Sequence, residues 1–149
     1  MEFTEATLHD LANRIRRSFE SNWGTWSTNG WTIIFHAKVK PIGTLPMKGS
    51  EQLAYNDNLV QINNEPEDWR SWVRIDRNYG VWTQNARDWV YAHESGHLMG
   101  LPDNYTDKND QSVPTPGHEG HMMASYGGVV AWHEVLDITG SLAPCQCQH

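Results

Sequence analysis

The chain has 149 residues, 38% of them hydrophobic and 19% charged, which is enough for one domain core over 1–149 and too few for two. Its 18 Asp and Glu against 11 Lys and Arg give a formal charge of -7, the reverse of what a phosphate-backbone binder needs, so nucleic acid is not expected as the main partner. No apolar run approaches the roughly 20 residues of a spanning helix, which excludes a membrane-spanning reading, and two Cys make no disulfide framework.

Thr4 to Glu20 spaces Leu8, Leu11, Ala12, Ile15 and Phe19 at three- and four-residue intervals, an amphipathic helix. Thr4 is its expected cap, and Arg14, Arg16 and Arg17 are expected near its negative pole. Ser21 to Gly30 reads as a loop. Trp31 to Val39 alternates Trp31, Ile33, Phe35, Ala37 and Val39 on one face and predicts a strand. Pro41 to Asn58 carries Pro, Gly and Asn punctuation and reads mostly as loop. Leu59 to Asn63 is a short strand, Glu65 to Asp68 a turn, and Trp72 to Asp76 an edge strand with Arg74 exposed. From about Asn85 the period becomes helical through Ala86, Trp89, Val90, His93 and His97, and Gly100 stands where a left-handed terminating residue is wanted. Pro102 to Pro116 reads as a polar loop, and Val129 to Ile138 as a terminal helix. Helices and strands are therefore segregated rather than regularly alternating, which predicts an α+β fold. Met1 to Glu5 has no basic region followed by an apolar segment, so a signal peptide is not expected at this end.

Eight His in so short a chain invite a search for metal-ligand spacing. His93-Glu94-Ser95-Gly96-His97 lies inside the second helix, where residues i and i+4 share a face and both imidazoles can address one ion. Glu94 sits beside them, placed to act as a general base. The string continues as Leu-Met-Gly-Leu-Pro-Asp103, giving HExxHxxGxxD: Gly100 allows a sharp turn and Asp103 can return as the third ligand. Three protein ligands leave an open position, the arrangement of a catalytic zinc rather than a structural one. Asp103 competes with its own turn chemistry in Pro-Asp-Asn. Rival third ligands are His118 and His121 of His-Glu-Gly-His, and Glu134 beside His133 on the last helix.

These residues resemble the zinc-binding consensus of metzincin metallopeptidases, and Gly-Leu-Pro-Asp-Asn-Tyr is most similar to the small snapalysin-type neutral proteases. The resemblance implies a zincin-like fold: a small twisted mixed sheet, an N-terminal helix, the zinc helix and a C-terminal lobe with a Met-turn. His121 to Gly128 offers that turn, with Met123 as its methionine. Tyr126, three residues on, is a candidate transition-state donor, although family members place a Tyr two residues after the Met. The resemblance further implies one catalytic Zn2+ on His93, His97 and Asp103, hydrolysis of a protein or peptide substrate with Glu94 as base, and an extended substrate lying along an edge strand, for which Trp72 to Asp76 is the candidate. A catalytically inactive, zinc-stabilised binding module is the alternative. The compact chain also suits a secreted or delivered toxin or effector domain, whose partner would be a cognate inhibitor or immunity protein. Cys145 and Cys147 are too close for a relaxed disulfide, and their tail is expected to fray.

Overall fold

The computed structural model describes residues 3–28, 30–42 and 57–140. Among them it is a mixed α+β structure of three α-helices and small sheets. Helix α1 spans Glu5–Trp23, with the Thr4 side chain accepting from the Thr7 N–H as its N-cap. Leu11, Ala12, Ile15 and Phe19 are buried, as the spacing predicts. The helix runs one turn beyond Glu20 because Trp23, fully buried, belongs to the core and its indole N–H donates to the Ala92 carbonyl at 3.0 Å. Arg14, Arg16 and Arg17 therefore lie away from the last turn, which holds no basic residue. Arg14 instead ties α1 to the second helix, donating to Asp88 and to the carbonyls of Gln84 and Ala86.

The stretch expected as a loop after α1 contains a strand, β1 (Thr25–Thr28), paired antiparallel with β2 (Trp31–Ile34). The predicted strand over 31–39 thus ends its ladder at Ile34, while Phe35 continues inward and is buried. Trp31, placed on the inward face by the alternation, is 58% exposed. The expected loop from Pro41 to Asn58 falls largely outside the described residues, and so do Cys145 and Cys147.

The largest sheet has three strands, β3 (Leu59–Asn63), β4 (Trp72–Arg74) and β5 (Tyr79–Thr83), in the order β3-β5-β4. It is mixed: β5 runs parallel to β3 and antiparallel to β4. β4 is an edge, as expected, but stops at Arg74, where one turn of 3-10 helix (Ile75–Arg77) and a left-handed Asn78 reverse the chain into β5. The central strand β5 is not among the strands that the sequence pattern predicts.

Helix α2 (Asp88–Leu98) lies against α1 and this sheet, with every residue from Tyr91 to His97 buried. The polar loop expected over 102–116 contains a hairpin, β6 (Tyr105–Lys108) and β7 (Gln111–Pro114). Its turn residues Asn109 and Asp110 both have positive φ, the geometry that two-residue hairpin loops require. Helix α3 (Trp132–Thr139) closes the described chain. No helix among the described residues is long and apolar enough to cross a membrane.

Candidate metal centre

Four of the seven consecutive buried residues of α2 are polar: His93, Glu94, Ser95 and His97. Buried polar groups need partners, and their partners decide what this helix can do. The Ser95 hydroxyl donates to the Tyr91 carbonyl at 2.6 Å. His93 Nδ1 lies 2.9 Å from the Met122 carbonyl, and His97 Nδ1 lies 2.7 Å from the Leu101 carbonyl. A carbonyl can only accept, so each Nδ1 carries a proton and Nε2 is the nitrogen that each ring turns toward the site. Both Nε2 atoms face the Asp103 carboxylate, 3.4 Å and 3.1 Å from the same Oδ1.

The turn after the helix makes this convergence possible. Gly100 adopts φ 97, outside the range of ordinary side chains. The Gly100 N–H then bonds the His97 carbonyl at 2.9 Å and the Leu101 N–H bonds the Gly96 carbonyl at 3.1 Å. One turn thereby points the Leu101 carbonyl at His97 and swings Asp103 back under both imidazoles. The donor atoms of His93, His97 and Asp103 lie within 4.8 Å of one another.

The segment after His121 supports the site from below. Met122 and Met123 are fully buried. A Cβ added to Gly96 would meet Met123 Sδ at 2.5 Å, so the methionine packs directly against the backbone of α2 beside His97. The loop is held by Met122 N–H to Val129 carbonyl at 2.8 Å, Asn104 N–H to Met123 carbonyl at 2.8 Å, and Glu134 Oε1 accepting from the Met123 N–H at 2.8 Å.

Electrostatics differ across the site. Burial raises the Glu94 carboxyl above its ordinary range, partly opposed by His93 and His97. One of its oxygens, Oε2, is buried with no hydrogen-bond partner among the described residues. Burial would raise Asp103 too, but hydrogen bonds from His93 and His97 outweigh it and hold that carboxyl well below its usual value. Burial works to lower His97, and the Asp103 hydrogen bond, the Leu101 carbonyl and nearby negative charge overcome it and raise it.

This donor set fits zinc: two imidazoles whose Nδ1 atoms are tied to carbonyls, so that Nε2 is the ligand atom of each, and one carboxylate. Glu94 adds a base that is not itself needed as a ligand. Glu134 is used otherwise, since its two carboxylate oxygens accept from the Met123 and Ala131 N–H groups. His118 and His121 lie together with His133, in a group separate from His93, His97 and Asp103.

Tyr126 is 68% exposed, with its ring 5.1 Å from the Trp89 ring and its phenol near the Arg87 guanidinium. Trp89 stands between it and His93, with its ring 5.0 Å from the imidazole and its indole N–H donating to the Gly128 carbonyl. A different tyrosine, overlooked in the sequence, lies at the centre: Tyr105 sits beside Asp103 and accepts from Arg70 Nη2 at 2.9 Å. The backbone carbonyls of Leu101 and Met122 were equally illegible, because a main-chain acceptor leaves no mark on residue type. Comparison of the chain with protein-family models, with curated proteins and with solved structures gives no match, so the reading of this site rests on its own geometry.

Proposed function

We propose that this chain is a zinc-dependent metalloendopeptidase of metzincin type. The observation that carries the reading is the pair of imidazoles whose Nδ1 atoms are tied to carbonyls and whose Nε2 atoms meet on one Asp103 oxygen. A zinc held by His93, His97 and Asp103 would supply Lewis acidity toward a carbonyl oxygen and a water acidified enough to attack it. Glu94 is the group that moves the proton: its raised pKa fits a base that takes a proton on Oε2 and later delivers it to the departing amine. Asp103, kept anionic, balances the charge of the site. Tyr105, with its phenol oriented by Arg70, and Tyr126 are the two candidate donors to a developing oxyanion.

The strand β4 has no partner on its outer side among the described residues, and Arg70, two residues before it, reaches Tyr105 at the metal centre. An extended peptide added to this edge would run beside the site, fixed by main-chain hydrogen bonds. A zincin-like arrangement is supported by the mixed sheet, the buried helix α2, and Met123 beneath Gly96.

The test is Glu94→Gln. Zinc content should match wild type while cleavage of a denatured protein substrate falls about 10²–10⁴-fold. Cleavage at the wild-type rate would end the reading of Glu94 as the base, no cleavage by wild type would end the peptidase reading, and a biological effect that persists without cleavage would favour the binding module.

A further inference from the structure

A second group of imidazoles lies outside the site just described. His118 and His121 stand on the turn that leads into the methionine loop, and His133 is the second residue of α3. The turn is shaped by positive-φ glycines at 117 and 120, and by the His121 N–H bonding the His118 carbonyl at 3.1 Å. This folds the His-x-x-His pair so that both rings face the helix. The ring centroids lie 4.7 Å apart for His118 and His133, 4.9 Å for His121 and His133, and 5.8 Å for His118 and His121. One ligand atom from each ring falls within 4.8 Å of the other two.

We propose that His118, His121 and His133 form a second site for a zinc-class divalent cation, which clasps the methionine loop to α3. His118 Nδ1 and His133 Nε2 are 3.1 Å apart. Two nitrogens bound tetrahedrally at about 2.0–2.1 Å from one zinc would stand roughly 3.3 Å apart. His121 Nδ1 is buried and has no hydrogen-bond partner among the described residues, so this ring is not fixed in the way that the Met122 carbonyl fixes His93. All three rings are half-buried, leaving a path for the ion and room for water as the fourth ligand. Three neutral imidazoles suit zinc, cobalt, nickel or copper and not calcium or magnesium.

The clasp has a structural consequence. His121 directly precedes Met122, whose carbonyl orients His93, and His133 directly precedes Glu134, which holds the Met123 N–H. An ion here would join the two segments that support the first site, without sharing a ligand with it. The inference stands independently of the peptidase reading.

The test uses the 149-residue chain without an affinity tag, dialysed against Zn2+ and analysed for metal. Wild type should hold two zinc per chain. The His118→Ala/His133→Gln chain should keep one, the His93→Ala/His97→Ala chain should keep the other, and the combined chain neither. Because the His118 and His133 changes could disturb folding, the His93→Ala/His97→Ala chain is also titrated with Co2+, where one equivalent should give the visible absorption of a nitrogen-ligated ion and raise the Tm. One zinc in wild type that is lost with the His93 and His97 changes, a second zinc retained after the His118 and His133 changes, or a cobalt titration without absorption would each overturn the proposal. Loss of zinc only from the His93 site, with the second ion still bound, would count against the peptidase reading alone.

Discussion

Glu134 offers the sharpest test of how the site is supported. Its side chain is 1% exposed, and its two oxygens accept from the Met123 and Ala131 N–H groups, both at 2.8 Å. Replacing it by Ala removes both acceptors. A buried N–H left without a partner costs about 1–3 kcal/mol, and the Ala131 N–H, only partly buried, belongs at the lower end. The expected loss is about 2–5 kcal/mol, or about 5–15 °C in Tm for a domain of this size. Glu134→Gln keeps one acceptor and should cost about half as much. Thermal unfolding followed by circular dichroism measures this, with zinc content determined on the same samples below the transition. A strut should lower Tm in both variants and leave the zinc on His93, His97 and Asp103 in place. An unchanged Tm with that zinc lost would make Glu134 a ligand and refute the account of the loop given above.

Three further outcomes follow from the geometry. Gly100→Ala meets no steric neighbour, so its effect is conformational strain of about 1–3 kcal/mol at φ 97. Because the same residue aims the Leu101 carbonyl at His97, zinc affinity should fall about 10–100-fold, and a titration with wild-type affinity would disprove that coupling. Tyr91, whose hydroxyl donates to the carbonyls of Thr83 and Gln84, has its pKa pushed up to about 12, chiefly by burial. The fold favours its neutral form, so the stability from Tyr91 is complete below the unfolded pKa near 10 and is lost as pH rises toward 12, at most about 2–3 kcal/mol. Spectrophotometric titration should find a tyrosine that ionises near pH 12, and Tyr91→Phe should remove that step. Arg70→Ala should leave zinc binding intact but lower kcat more than it raises KM, if Tyr105 serves as the donor it orients. Unchanged kcat would return the role to Tyr126.

The sequence by itself determined the elements whose signal is local. Helix α1 was legible because one face repeats Leu11, Ile15 and Phe19, and α2 because His93 and His97 stand one turn apart before a glycine. β3 was read with its bounds intact, since Leu59 to Asn63 is a short β-rich run between turn formers. β5 was missed because Tyr79 to Thr83 is buried from Gly80 onward and shows no alternation, and its glycine weakens any strand propensity. β1 and the hairpin β6-β7 escape the pattern for a different reason: their strands are short and mostly exposed, so little besides the Asn109-Asp110 turn marks them. For the site, spacing placed His93, Glu94, His97 and Asp103 in one string, but spacing does not choose among Asp103, His118, His121 and Glu134. Tertiary structure brought Asp103 to the two imidazoles, spent the carboxylate of Glu134 on backbone N–H groups, and gathered His118, His121 and His133 elsewhere. The physical reason is that a ligand set depends on the direction of lone pairs, and here those directions are set by main-chain carbonyls, Leu101 on the turn that follows the helix and Met122 on a distant loop, which residue identity does not encode.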